Sequence, residues 1–282
     1  MILVMGASGN IGKELVKELK ARGAEFKAGY RSAEQVAEAK QNGISAVRLD
    51  YMQPDTLEAA LEGIAKVFLV SPPTPHLGEG EINVIAMAQQ MEVQHIVYLS
   101  VWRAEDGFIF GRPHYESEQH LRKSGLEYTF LRPNGFMQNM LGNAATMKAQ
   151  GAFYMPAGEA RVSEIDVRDI ARVAAVTLTS EGHEKQTYAL SGPEALTEAE
   201  KAQRLSEALH RPISYIPIPE EQWKAALLGA GVPEWNVDGL IDLHRFYQTG
   251  NFEEVTPWVE TLTGKAPTSY RQFVQDYAGA FQ

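Results

Sequence analysis

The chain opens on an unbroken apolar run, Ile2-Leu-Val-Met5, that passes straight into glycines at three-residue spacing, Gly6, Gly9 and Gly12. A short apolar run stopped by glycine reads as a buried strand. The residues after it, Ile11–Arg22, place Ile11, Leu15 and Leu19 on one helical stripe and Lys13, Lys17, Glu18 and Lys20 elsewhere. That is the pattern of an amphipathic helix. In such a strand–turn–helix junction the first glycine permits a tight turn. The middle one admits a phosphate close to the backbone, and the last lets the helix pack against the strand. The free amides from Ser8 through Asn10 to Ile11 are then expected to face an anion at the positive end of the helix.

The spacing G-x-x-G-x-x-G points to the diphosphate of a dinucleotide, held by Gly6, Ser8, Gly9, Asn10, Ile11 and Gly12. A mononucleotide P-loop fails on two counts: five residues rather than four separate Gly6 from Gly12, and Glu14 stands where a magnesium-binding hydroxyl is needed. A site for NAD offers an acid at the end of its second strand to bind the ribose hydroxyls. Here that strand ends Gly29-Tyr-Arg-Ser32. Arg31 can pair with a 2′-phosphate in bidentate fashion and Ser32 can add a donor, so NADP(H) is the expected cofactor, with NAD(H) also admissible. Asp50, ending the third strand, is a candidate partner for the adenine amino group.

Strand and helix patterns alternate through the first half. Strands are expected at Ile2–Met5, Phe26–Tyr30, Ala46–Leu49, Val67–Val70, His95–Leu99 and Tyr128–Leu131. Their continuous apolar character fits a sheet covered by helices on both faces, an α/β Rossmann fold with a doubly wound parallel sheet. The second half is mostly helical, with prolines at 156, 193, 212, 217, 219, 233, 257 and 267. Val162–Ile165 and Thr187–Leu190 read as further strands returning to the sheet. The expected organisation is a dinucleotide-binding domain over residues 1–150. A smaller, mostly helical substrate or lid region follows over 151–282, with a soft boundary.

Composition narrows the function classes. A net charge of -10 speaks against nucleic acid as a partner. The absence of cysteine excludes thiolate chemistry, disulfides and iron–sulfur clusters. The histidines show no ligand spacing, so no metal is expected. No signal peptide is expected before the first strand, and no apolar stretch approaches the roughly 18 residues that span a bilayer. A cytoplasmic protein acting on a small molecule, with no membrane partner, is the expectation. A homodimer is compatible with the sequence, which is otherwise silent on oligomeric state.

Several motifs together resemble the NmrA-like branch of the atypical short-chain dehydrogenases. They are Gly6-Ala-Ser-Gly-Asn-Ile-Gly12, Val70-Ser-Pro-Pro73, His95-Ile-Val-Tyr-Leu-Ser100, His114-Tyr-Glu-Ser-Glu118 and Ser124-Gly-Leu-Glu-Tyr-Thr-Phe-Leu-Arg-Pro133. Phe136-Met-Gln-Asn139, Asp166-Val-Arg-Asp-Ile-Ala171 and Leu190-Ser-Gly-Pro-Glu194 extend the resemblance into the second half. Within that branch the chain is similar to triphenylmethane-dye reductases, quinone reductases and fungal festuclavine dehydrogenases. The resemblance implies that Ser71 and Pro72 line the adenine and ribose side of the cofactor. It also implies that Ser100 stands beside the nicotinamide, and that Pro133, Asn134 and Phe136 frame that ring and the substrate.

Typical short-chain dehydrogenases use a Ser, a Tyr and a Lys four residues after the Tyr, the ammonium lowering the phenol's pKa. Ser100 and Tyr115 align with the first two, but the Lys position is Gln119. An uncharged amide cannot depress a phenol from its ordinary pKa of about 10, so carbonyl–alcohol chemistry is disfavoured. Hydride transfer is not: a quinone, an iminium or a dye-like cation accepts hydride with little proton help. Tyr115, His114 and Gln119 remain able to hydrogen-bond such an acceptor. Two other readings compete. A non-enzymatic redox sensor needs no proton relay, and a sugar-nucleotide epimerase shares the fold but needs the missing Tyr–Lys pair.

Overall fold

The computed structural model describes residues 1–282. Nine strands are numbered in chain order: β1 (Ile2–Val4), β2 (Phe26–Tyr30), β3 (Ala46–Arg48), β4 (Lys66–Leu69), β5 (His95–Leu99), β6 (Glu127–Pro133), β7 (Ala152–Met155), β8 (Gln186–Leu190) and β9 (Ser214–Pro217). Helices α1 (Asn10–Ala21), α2 (Ala33–Gln41), α3 (Pro54–Leu61), α4 (Leu77–Gln90) and α5 (Gly111–Lys123) link the first six strands. Helices α6 (Ala144–Gln150), α7 (Val167–Thr179), α8 (Glu198–Leu209), α9 (Glu220–Gly229) and α10 (Glu234–Tyr247) follow, then three short ones at Trp258–Thr263, Tyr270–Asp276 and Ala278–Phe281.

Seven strands form one sheet in the order β3-β2-β1-β4-β5-β6-β8. β1 pairs in parallel with β2 on one side and β4 on the other, Leu3 opposite Lys27 and Val67. Strand order therefore reverses at β1, and the crevice beyond its carboxyl end is where an α/β sheet of this kind takes a ligand. The central strands are sealed on both faces: Val4, Phe68, Leu69, Ile96, Val97 and Tyr98 have no exposed surface. Leu15 and Leu19 of α1 are equally buried, as their helical stripe requires.

The chain divides into two compact units. Unit 1 comprises residues 1–107, 111–132 and 170–188, and unit 2 comprises 108–110, 133–169 and 189–282. Leu3, Leu57, Val67, Ile85, Tyr98 and Phe130 belong to the core of unit 1. Unit 2 has its own core, built on Met137, Phe153, Leu205, Trp223, Val237, Tyr270 and Phe273. No helix is long and apolar enough to cross a membrane.

Two expectations change. Val162–Ile165 is not a strand: Val162 bridges Leu196 and Ile165 bridges Phe136 singly. Between them the Ser163 amide donates to Phe252 O, so no continuous ladder forms. Conversely β7 and β9 make a parallel two-stranded sheet in unit 2 that local pattern did not announce. Both strands are short, and Pro217 ends β9. A lone strand of that length has no stability until its partner is in place.

Candidate functional site

The glycine turn behaves as its spacing requires. Gly6 has φ +63°, and a Cβ there would come 2.8 Å from Val70 Cγ1 at the end of β4. A Cβ on Gly12 would lie 2.1 Å from Gly6 O and 2.8 Å from Ala7 Cα, both backbone atoms that cannot step aside. The turn is tied by Ala7 N donating to Gly29 O and Gly9 N to Gly6 O. Gly9's amide is thus spent inside the turn rather than offered outward. No side chain caps α1, and the Ser8, Asn10 and Ile11 amides find no acceptor in the protein. Uncapped amides at the positive end of a twelve-residue helix, at the reversal of strand order, fit a bound diphosphate.

Beyond β2 and β3 lies a cavity of about 690 Å³ lined by Arg31, Ser32, Ala33, Glu34, Gln35, Arg48, Asp50 and Gln53. The Arg31 side chain is 85% exposed and its Nε stands 3.8 Å from Asp50 Oδ2. Ser32 caps α2 through a capping box, its Oγ accepting from Gln35 N. The same side chain also stands beside the Glu34 carboxylate, which shares the cavity lining. Asp50 uses Oδ1 to accept from Met52 N, which shapes the turn before α3. Arg48, at the carboxyl end of β3, donates from Nε to Arg31 O. Sequence reading missed Arg48. Its signal is positional, since parallel pairing sets it beside Tyr30, the last residue of β2.

The segment after β4 turns the Ser71 hydroxyl inward, where it is buried near the carboxyl of Glu81, while Pro72 is exposed. At the end of β5 Ser100 is buried, and its hydroxyl donates to Glu118 Oε1 at 2.6 Å. Arg132 grips the same carboxylate with Nε and Nη2 at 2.8 and 2.6 Å. Glu118, fully buried, is therefore neutralised by a bidentate guanidinium, a structural ion pair that fixes Ser100. Tyr115 on α5 is 37% exposed and has no hydrogen-bond partner in the protein, and Gln119 one turn on is half-buried. No cation pairs with the phenol.

In unit 2, Pro133 is buried and Phe136 half-buried. Asn134 is fully committed: its amide nitrogen donates to Ser163 Oγ and Phe252 O, and its side-chain oxygen accepts from Gly135 N. Trp223 and Tyr247 are core residues rather than exposed aromatics. Asp166 is held by Arg168, and Asp169 accepts from Thr268, so neither carboxylate is free for chemistry.

Residues 6–181 match the model of a family described as NAD(P)H-binding. The chain belongs to that family. Its cofactor is NAD(P)(H), in keeping with the glycine cradle. This NAD(P)H-binding protein is 39% identical, over 100% of its length and 99% of the relative's, to an NAD(P)H azoreductase of Xenophilus azovorans. It is 27% identical to the NADPH-dependent quinone oxidoreductase of Escherichia coli, solved with NADPH, with TM-score 0.90 over 99% of this chain and 100% of that one. The triphenylmethane reductase of Citrobacter sp., solved with NADP(H), is also 27% identical, with TM-score 0.89 over 98% and 99% of the two chains. The dye and quinone reductases to which the sequence motifs are similar thus stand among the relatives of this NAD(P)H-binding protein.

Proposed function

We propose that this chain is an NADPH-dependent reductase that transfers hydride to a conjugated or cationic small molecule of the azo, quinone or triarylmethyl class. The observation that carries the reading is the committed state of the polar groups around Ser100. Its hydroxyl donates to Glu118, Gln119 replaces the ammonium, and Tyr115 has no hydrogen-bond partner to activate it. Such a site suits acceptors whose own conjugation or positive charge draws in hydride. Relatives named for azo, quinone and triphenylmethane reduction point the same way.

When bound, the reduced nicotinamide supplies the hydride. The residues around the cofactor position it and the acceptor. The amides of Ser8, Asn10 and Ile11 hold the diphosphate, Gly9 lets it approach, and Gly6 and Gly12 keep the turn tight against the strand. Arg31, Arg48 and the Ser32 hydroxyl bind the 2′-phosphate, which favours NADPH over NADH. Ser71 and Pro72 flank the adenine ribose, Asp50 orients the adenine, and Ser100 stands beside the nicotinamide. Tyr115 and Gln119 hydrogen-bond the acceptor. The test is NADPH oxidation on a panel of an azo dye, a benzoquinone and a triarylmethyl cation. Loss of none of these acceptors, while calorimetry shows NADPH bound, would refute the reading.

A further inference from the structure

A triarylmethyl cation needs only hydride, but a quinone or azo group that has taken hydride is an anion and must also take a proton. Neither Ser100 nor Tyr115 is wired to give one. Another set of polar groups in unit 1 is. Glu81 on α4 and Tyr98 on β5 are 0% exposed, and His114 in the first turn of α5 is 9% exposed. The Tyr98 hydroxyl lies 2.6 Å from Glu81 Oε2 and 2.6 Å from His114 Nδ1. Glu81 Oε1 is 3.6 Å from the same ring nitrogen. His114 Nε2 has no partner in the protein and is the outer end of the chain, one residue before Tyr115.

A phenol has one proton, so with two short contacts it must donate to one neighbour and accept from the other. With Glu81 protonated, the carboxyl donates to Tyr98, Tyr98 donates to Nδ1, and the imidazole carries its proton on Nε2. With Glu81 ionised, every bond reverses: Nδ1–H donates to Tyr98, Tyr98 donates to the carboxylate, and Nε2 is bare. The two states differ by one proton and by the tautomer of a neutral ring. Burial disfavours charge on both ends, raising Glu81 to about 7 and lowering His114 to about 4, so the pair is not an ion pair. The groups facing Glu81 are the hydroxyls of Ser71, Ser117 and Tyr98, which favour its anion, and the Glu118 carboxylate, which opposes it. The Tyr51 phenol also lies close, donating to Val70 O.

We propose that Glu81, Tyr98 and His114 form a proton relay that protonates the reduced acceptor from His114 Nε2, replacing the missing Tyr–Lys pair. The proposal rests on the reductase reading above. As the acceptor's oxygen or nitrogen becomes anionic, the Nε2–H bond breaks and an O–H or N–H bond forms on the acceptor. Nδ1 takes the Tyr98 proton, Tyr98 takes the Glu81 proton, and Glu81 is left as carboxylate. Solvent returns one proton per turnover, so hydride plus proton converts a quinone to its hydroquinone. Glu81 and Tyr98 act through His114 and are positioning residues.

Two measurements on the full chain decide it. Nitrogen NMR of the His114 ring is expected to show the Nε2–H tautomer near pH 5.5 and the Nδ1–H tautomer near pH 8.5, a switch lost in Glu81→Gln. A single tautomer throughout overturns the relay, whether or not any acceptor is turned over. In kinetics, the ratio of benzoquinone to triarylmethyl-cation turnover is expected to fall about 100-fold in Glu81→Gln and in Tyr98→Phe, the range of general acid catalysis. The wild-type quinone rate is expected to decline above about pH 7, an inflection absent from Glu81→Gln. An unchanged ratio, with both acceptors slowed together or neither slowed, assigns the three residues a structural role and overturns the relay. Absence of turnover with every acceptor defeats the reductase reading instead, and leaves the relay to be decided by the tautomer.

Discussion

Replacing Glu81 with Gln isolates the cost of keeping a carboxyl in the core of unit 1. The carboxyl is 0% exposed and burial raises it from 4.5 to about 7. In the unfolded chain it ionises near its ordinary value. Between those two values the folded state therefore holds the extra proton, and stability falls as pH rises. The stabilisation is fully present below about pH 4.5 and is lost by about pH 7. At 1.36 kcal/mol per pH unit, a gap of that size is worth about 3 kcal/mol. His114, lowered to about 4, contributes with the opposite sign, its stability being lost as pH falls from 6.5. The wild-type curve alone would blur the two. Subtracting the Glu81→Gln curve leaves the carboxyl, because the histidines are common to both proteins. The variant should gain about 3 kcal/mol relative to wild type between pH 4 and pH 8, on the order of 1 M in urea midpoint. Urea unfolding read by hydrogen exchange at the β5 amides assigns the effect to unit 1. A difference between the two proteins that does not change with pH would show that the carboxyl is not raised, and the reasoning would fail.

Other expectations follow from single contacts. Gly12→Ala sets a methyl 2.1 Å from Gly6 O. Its overpacking cost of about 1–3 kcal/mol should weaken NADPH binding by roughly 5-fold or more in calorimetry, and unchanged affinity would refute the cradle. Arg31→Ala and Arg48→Ala should each weaken NADPH by roughly 10-fold or more while sparing NADH, because a charge-assisted bond to the 2′-phosphate is worth about 1.5–3 kcal/mol. Equal losses for both cofactors would place that phosphate elsewhere. Leu15→Ala removes a side chain with no exposed surface from the helix that carries the turn. It should cost about 2–5 kcal/mol in the urea unfolding of unit 1, and a loss under about 1 kcal/mol would contradict the packing described.

Much of the cofactor half was legible because its signals are local. A buried strand, a glycine turn and an amphipathic helix are each written within a dozen residues, and Gly6 and Gly12 have the steric roles their spacing implies. Gln119 could be read the same way, as an amide where a charge is needed. Thr187–Leu190 joined the main sheet as its apolar pattern indicated, within β8 beside β6. Val162–Ile165 did not become a strand, because its backbone groups are shared among three separate segments, at Gly135–Met137, Gly192–Leu196 and Phe252, which no local pattern reveals.

The fold class, the glycine turn and the missing ammonium were determined by the sequence alone, since each depends on neighbours along the chain. Tertiary structure decided which distant polar groups meet. Glu81 sits on the buried stripe of α4 with Gly80, Val84 and Ile85, an anomaly visible in sequence whose purpose is not. Only folding brings it within 2.6 Å of the Tyr98 hydroxyl, and that hydroxyl within 2.6 Å of His114. Arg48 likewise joins Arg31 only because β2 and β3 pair in parallel. Spacing along a helix or strand constrains near neighbours. Contacts between strands and the helices that cover them are set by packing of the whole core, and the chemistry of the polar groups there follows from that burial.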